Sequence, residues 1–70
     1  MSLLDANVGE EYIVKNILTD DEELKSFLFS LGCYSGEAVT VLLHQRGNCV
    51  VSVKEGRYSI DNELARAVLI

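Results

Sequence analysis

The chain has 70 residues, of which 49% are hydrophobic and 24% are charged. Six Lys and Arg stand against eleven Asp and Glu, so the net charge is −5, the wrong sign for neutralising nucleic-acid phosphates or an anionic membrane surface. A chain this short forms one domain, whose core rarely contributes more than ~3–5 kcal/mol of net stability and so supports no strained catalytic cleft. We therefore expect one folded domain over residues 1–70 that binds neither nucleic acid nor membrane.

The compartment can be inferred from the start of the chain and from its cysteines. Residues 1–5 lack the basic segment of a secretory signal, and the apolar stretches are far shorter than a bilayer span. A small secreted scaffold normally carries more cysteines than the two present here, Cys33 and Cys49. We expect a cytoplasmic chain without membrane insertion.

The first elements are a short helical turn and a strand. Ser2 is placed to cap a turn that ends at Ala6, with Asp5 completing a capping box. Residues 11–18 are rich in β-branched side chains and predict a strand.

An amphipathic helix follows the strand. Residues 19–22 form a second capping-box pattern beginning at Thr19, and Gly32 stands where a left-handed residue ends a helix. The apolar stripe between them consists of Leu24, Phe27, Leu28 and Leu31. A helix of about three turns is marginal alone, so we expect this stripe to pack on a sheet.

Residues 37–54 predict a hairpin whose loop length can be inferred from its side chains. A three-residue loop, 45–47, with Gly47 at positive φ would bury six side chains on one face: Val39, Val41, Leu43, Cys49, Val51 and Val53. A two-residue loop would instead put Val41 and Val51 on opposite faces. A second turn at 55–56 then sets Tyr58 opposite Val53 and Ile60 opposite Val51 on the same face.

The chain ends with a helix and a strand. Asp61 is predicted to cap a short helix over residues 62–67, and residues 68–70 form a terminal strand. The sequence therefore predicts a mostly β fold: a small barrel of about five strands, with one amphipathic helix after the first strand and a short helix before the last.

Two stretches resemble the ferrous iron transport protein A family, FeoA. Residues 31–39, Leu-Gly-Cys-Tyr-Ser-Gly-Glu-Ala-Val, are similar to the family pattern Leu-Gly-apolar-x-Pro-Gly-x-x-Val, with Ser35 in place of the usual proline. Residues 65–70 resemble the closing pattern Ala-x-x-Ile-x-Val, and the order of elements matches across the chain. The loop at 45–48 is shorter than the frequent Pro-Leu-Gly-Gly-Pro hairpin of the family.

The resemblance implies an SH3-like barrel that binds the membrane transporter FeoB, whose cytosolic part is a GTPase, and modulates Fe²⁺ transport without catalysis. Two alternatives stay open. One is a regulatory module that binds and senses Fe²⁺ itself, by analogy with the SH3-like domains of iron-dependent repressors. The other is a structural oligomerisation module, and homo-oligomers are compatible with every alternative.

Candidate metal ligands are few. Cys33, His44 and Cys49 are the only soft or borderline ligands in the chain. The family has an apolar residue at the Cys33 position, and the expected register puts His44 and Cys49 on opposite sides of the hairpin. The carboxylates of residues 20–23 suit a helix N-terminus and point in different directions. We expect no cofactor.

No catalytic arrangement is evident. His44 has no obvious nucleophile or orienting acid, and no glycine-rich phosphate loop is present. Tyr34, in the loop after the helix, either covers the core, which we favour, or is an exposed anchor.

Three side chains are candidates for binding a partner. Phe29 lies off the apolar stripe and is either covered by residues 3–4 or exposed for binding. Leu42 and Val50 are expected on the outer face of the hairpin, diagonally across the strands, unless Leu64 of the last helix covers them. A few buried apolar anchors carry most of the energy of an interface.

We predict that the purified protein binds neither Fe²⁺ nor Zn²⁺ tightly, because His44 and Cys49 are expected to diverge and a closed site wants about four ligands. Equilibrium dialysis under anaerobic, reducing conditions tests this. Stoichiometric binding at micromolar metal that Cys49→Ala abolishes would contradict the prediction and favour the Fe²⁺-sensing alternative.

Overall fold

The computed structural model describes residues 1–70 as two antiparallel sheets with three helical segments. In chain order these are an N-terminal 3₁₀ turn (Leu3–Asp5), β1 (Glu11–Ile13), β2 (Asn16–Ile17), α1 (Glu22–Leu31), β3 (Ala38–Gln45), β4 (Asn48–Val53), β5 (Gly56–Asp61), α2 (Asn62–Ala67) and β6 (Val68–Leu69). One sheet has the order β1-β3-β4-β5, and β2 pairs with β6 in the other. The predicted mostly β architecture is confirmed.

Side-chain caps start the two short helical segments where the sequence predicts them. Ser2 Oγ accepts a hydrogen bond from the Leu4 amide at 3.2 Å, and the Asp5 carboxylate accepts one from the Ser2 amide at 2.9 Å. Asp61 Oδ1 accepts from the Leu64 amide at 2.8 Å. Each cap satisfies amides that the first turn of a helix leaves without partners.

The cap of α1 lies two residues later than predicted. Asp21 Oδ1 accepts from the amides of Glu23 at 3.0 Å and Leu24 at 3.2 Å, whereas Thr19 Oγ1 accepts only from the Asp21 amide at 3.1 Å. The Asp21 carboxylate reaches two unpartnered amides of the first turn, which explains why the helix begins there. Gly32 ends α1 with φ +92°, as predicted.

The apolar stripe of α1 packs on the core only in part. Leu28 is fully buried, and Leu24 and Leu31 are partly buried against the core. Phe27 is 46% exposed. It lies roughly 60° around the helix from Leu24, on the side away from Leu28, and so at the edge of the buried face.

The predicted strand over residues 11–18 is divided between the two sheets. β1 pairs with β3, and β2 pairs with β6. The change of partner occurs between Val14, whose amide donates to the Glu37 carbonyl at 2.9 Å, and Lys15, whose amide donates to the Leu69 carbonyl at 2.7 Å. This crossing places Val14 and Ile17 in the core cluster.

The core is one apolar cluster between the two sheets. It draws fully buried side chains from several elements, among them Leu3 of the N-terminal turn, Leu28 of α1, Ile60 of β5 and Val68 of β6. No polar side chain is buried. Each large side chain fully buried in this way contributes about 1.5–3 kcal/mol.

The loop between β3 and β4 has two residues, so the predicted three-residue loop is wrong. Gln45 pairs with Asn48, yet Val41 still pairs with Val51. A β-bulge at Leu42 takes up the additional residue. In an unbroken ladder, a two-residue loop would put the paired valines on opposite faces, and the bulge returns them to the same face.

The bulge changes which hairpin residues are buried. Leu43 pairs with Val50 instead of Cys49 and is 46% exposed, so its predicted place in the core is wrong. The other five predicted core residues of the hairpin are buried: Val39, Val41, Cys49, Val51 and Val53.

The turn between β4 and β5 comprises residues 54–55, one position earlier than predicted. Tyr58 consequently pairs with Val51 and Ile60 with Cys49, each displaced by two residues from the predicted register. Both side chains keep the predicted face because a shift of two residues preserves the alternation of a strand.

Gly47 has φ +87°, which confirms the predicted left-handed conformation, and no heavy atom lies within 4 Å of where a Cβ would stand. We predict that Gly47→Val destabilises the protein by roughly 1–3 kcal/mol through backbone strain alone. Arg46→Val, in the same turn without positive φ, is the matched control and should change stability little. Chemical denaturation measures both, and an equal midpoint for the two variants would show that the turn is built differently.

Candidate functional site

Two groups of apolar side chains lie outside the core. The aromatic groove lies between the end of α1 and the β4–β5 turn, and is lined by residues 29–32, Tyr34, residues 54–56 and Tyr58. The outer sheet patch consists of Leu43 and Val50, which pair on the solvent side of the four-stranded sheet, with Leu42 beside them at the bulge. The partner-binding candidates predicted from sequence are divided between these two surfaces.

Phe29 is exposed and held by a second aromatic ring. Its side chain is 62% exposed, so residues 3–4 do not cover it. Its ring lies against that of Tyr34, with centroids 4.7 Å apart and planes inclined at 30°. Aromatic pairs at this spacing gain energy beyond their buried area. The pair is therefore an ordered apolar surface in contact with solvent.

Tyr34 is half-buried and connects Phe29 to an ion pair. Lys54 Nζ lies 5.5 Å from the centroid of the Tyr34 ring and donates a hydrogen bond to Glu37 Oε1 at 3.1 Å. The hydrogen bond to Glu37, followed by the contact with Tyr34, raises the pKa of Lys54 above its ordinary value. An exposed ion pair adds little stability, and this one holds the Lys54 ammonium beside the Tyr34 ring.

The stem of Lys54 lies directly over Gly32. A Cβ at Gly32 would stand 2.9 Å from Lys54 Cδ, and Gly32 also has φ +92°. Lys54 itself adopts φ +54°, a conformation that costs a non-glycine residue energy. The absence of a side chain at the end of α1 thus lets the β4–β5 turn close over it and form one wall of the groove.

The outer sheet patch remains open to solvent at Leu43. Val50 faces Leu43 across the strands, so the predicted diagonal pairing of Val50 with Leu42 is replaced by a direct pair. Leu64 packs against the core cluster, which does not include Leu42, Leu43 or Val50.

His44 and Cys49 are directly paired across β3 and β4, so the expectation that they face opposite sides is wrong. The bulge at Leu42 reverses the alternation of the strand before His44. The His44 Nε2 atom lies 3.0 Å from the Ala6 carbonyl oxygen, with which it shares a hydrogen bond. Cys49 is fully buried, and burial raises the pKa of its thiol.

Cys33 lies apart from this pair and is 2% exposed. Burial raises the pKa of its thiol to about 11, which disfavours the thiolate that binds metal. No group of three or more His, Cys, Asp or Glu side chains converges in the structure. That the protein binds metal only weakly stays a prediction. The physical reasons are that too few ligands converge and that both cysteines are buried.

The four carboxylates of residues 20–23 lie at the N-terminus of α1. Asp21 caps it, and Glu22 and Glu23 occupy its first turn, where the helix dipole favours negative charge.

No helix of this chain has both the length and the apolar composition needed to cross a bilayer.

We predict that Glu37→Gln lowers the pKa of Lys54, because the neutral amide no longer stabilises the ammonium. A raised folded-state pKa stabilises the fold fully below the unfolded lysine pKa, and this contribution is lost as pH rises through the folded value. NMR titration of the Lys54 side chain measures the shift. Glu55→Gln, in the same turn, is the control, and equal shifts in both variants would contradict the assignment to Glu37.

A family model described as the FeoA domain matches residues 1–70. The crystal structure of an iron uptake regulatory protein, FeoA, has a TM-score of 0.84 and 30% identity, with 94% of this chain and 88% of that chain covered. FeoA of Stenotrophomonas maltophilia, complexed with zinc, has a TM-score of 0.85 and 20% identity, with 99% and 87% covered. That protein is described as an SH3 domain protein and a candidate ferrous iron transport activating factor. No curated protein sequence matches this chain.

A manganese-dependent transcriptional repressor is also similar, with a TM-score of 0.88 and 18% identity. The match covers 97% of this chain and 39% of the repressor, and at this identity it shows the fold alone. The SH3-like fold is thus shared by transport and regulatory proteins. The family model over residues 1–70 and the 30% identity to a FeoA structure decide between these groups, and the chain belongs to the FeoA family, which is associated with ferrous iron transport.

Proposed function

We propose that this chain is a cytoplasmic accessory protein of ferrous iron uptake, and that residues 1–70 act as one domain. The domain binds the cytosolic part of the transporter FeoB and modulates Fe²⁺ transport without catalysis. Two findings support a role in ferrous iron uptake. They are the family match and the description of the S. maltophilia FeoA as a candidate activating factor. The observation that carries the docking mechanism is the exposed, ordered pair of Phe29 and Tyr34.

An anchor that is ordered before binding loses little conformational entropy on docking. An immobilised side chain otherwise costs about 0.5–1.5 kcal/mol at an interface. Phe29 is already held by Tyr34, and Tyr34 by Lys54. Aromatic side chains of this kind are enriched among the few residues that dominate binding energy. The open groove beside Phe29 offers space for an apolar side chain of the transporter.

The charges around Phe29 differ from the acidic average of the chain. Lys25 and Glu22 line the surface on one side of Phe29, and Lys54 and Glu55 line the groove on the other. Together with Glu37, which is hydrogen-bonded to Lys54, two lysines stand beside three glutamates, so this surface carries both signs of charge in a protein of net charge −5. Charges around an apolar anchor chiefly set the association rate, and the two lysines reduce repulsion of an acidic partner.

The Fe²⁺-sensing alternative would need ligands beyond His44 and Cys49. The likeness to manganese-dependent repressors concerns the fold, and no observation of this chain favours metal sensing as a second function.

We predict that Phe29→Ala weakens binding to the cytosolic part of FeoB by at least about tenfold, as expected when a central aromatic anchor is truncated. Phe27→Ala is the matched control, since it removes an exposed phenylalanine from another face of the same helix. Isothermal titration calorimetry gives both affinities after circular dichroism has verified folding. Equal affinities for the two variants would exclude the aromatic groove as the docking site.

Substitutions in the outer sheet patch test whether that surface is the docking site instead. Leu42→Glu and Val50→Lys should both fold and bind FeoB like the parent. Loss of binding by folded variants would move the docking site to the outer sheet patch. Unfolding of both would show that these side chains belong to the core.

A further inference from the structure

β5 lies at the edge of its sheet and has a strand partner on one side only. The two-residue turn makes Val53 and Gly56 a hydrogen-bonded pair, so Gly56, Tyr58 and Ile60 direct their backbone groups to β4. The alternate residues Arg57 and Ser59 direct theirs towards the open edge, and Asp61 directs its amide there while its carbonyl accepts the first hydrogen bond of α2. No hydrogen bond outside the regular elements involves the backbone of Arg57 or Ser59.

The side chains at the same three positions are exposed and arranged about Ser59. Arg57 lies two residues before it and Asp61 two residues after it. Arg57 forms no ion pair within the chain, whose only salt bridge joins Lys54 to Glu37. Asp61 uses Oδ1 to cap α2, so its other carboxylate oxygen can accept a hydrogen bond from a cation.

We propose that β5 pairs antiparallel with β5 of a second copy of this chain, about a twofold axis that passes between the two Ser59 residues. Ser59 then faces Ser59 of the second copy, and Arg57 faces Asp61 twice. Arg57 and Ser59 direct both backbone groups towards the edge and Asp61 directs its amide there, so the same register forms ladder hydrogen bonds and both ion pairs. An interface of this kind is self-complementary, as twofold symmetry requires.

Other registers of the same edge lose these interactions. An axis through Arg57 would place two arginines opposite each other, and an axis through Asp61 would place two aspartates opposite each other. Both registers are disfavoured because like charges at opposed positions destabilise a ladder. In a register displaced by one residue, the new ladder would need the backbone groups of residues that already bond to β4. Its hydrogen bonds could therefore not form. Charge complementarity thus selects both the occupant, a second copy, and its alignment.

This dimer is independent of the proposed transporter contact. Arg57, Ser59 and Asp61 do not line the aromatic groove. A single six-residue edge buries less area than the ~1,200–2,000 Å² of a stable interface, so the dimer forms reversibly and its population rises with protein concentration.

Cysteine cross-linking tests the alignment. Opposed residues of a hydrogen-bonded antiparallel pair have Cα atoms about 5.5 Å apart, within the range of a disulfide. Ser59→Cys should therefore form a covalent dimer under mild oxidation. In Glu55→Cys, the control, which leaves both proposed ion pairs intact, the two cysteines lie about 26 Å apart along the strands, so cross-linking should be slower by at least about tenfold. Equal rates for the two variants would overturn the alignment.

Sedimentation equilibrium tests the association itself. The parent should show a concentration-dependent dimer, and Arg57→Glu should weaken it by about threefold to thirtyfold by placing carboxylates opposite Asp61. Arg66→Glu makes the same change of charge at an exposed position of α2 and should dimerise like the parent. A parent that is monomeric at every soluble concentration, or equal weakening by both variants, would overturn the proposal.

Discussion

The rest of the structure depends on keeping one face of β3 and β4 apolar and dry. The valines of these strands are paired across that face and nearly inaccessible to solvent. Because strand side chains alternate with a period of two, a change of one residue in the loop would turn the end of the hairpin over. The bulge at Leu42 compensates for the short turn and returns Cys49 to the core. Leu43 is exposed as a result.

The aromatic groove depends on a second constraint, the close approach of Lys54 to Gly32. The end of a helix and a β-turn can meet there because Gly32 has no side chain. Lys54 then reaches both Tyr34 and Glu37, and Tyr34 supports Phe29. An exposed aromatic side chain would ordinarily sample several rotamers, and these contacts restrict Phe29 to fewer of them.

Much of the fold could be predicted because its determinants are local. The caps by Ser2 and Asp61, the end of α1 at Gly32 and the positive φ of Gly47 follow from the chemistry of single residues and their neighbours. The alternating valines of the central hairpin were equally informative, since burial on one face is a property of the pattern.

The remaining features depend on contacts between distant segments. A two-residue turn with a bulge at Leu42 and a three-residue loop in an unbroken ladder both keep the valines paired, so the pattern alone cannot distinguish them. Lys54 is an unusual residue for positive φ, and its contacts with Tyr34 and Glu37 join residues far apart in sequence. The sequence accordingly indicated Phe29 as a candidate for this site and Tyr34 only as a less favoured alternative, without Lys54 or Tyr58.

The central claim is that a pre-ordered aromatic surface at the end of α1 docks onto the iron transporter. Hydrogen–deuterium exchange of this protein with and without the cytosolic part of FeoB tests it most directly. We expect slower exchange on binding at the residues that line the groove, which are residues 29–32, Tyr34, residues 54–56 and Tyr58. Slowed exchange confined to other segments, such as residues 42–50, would contradict it.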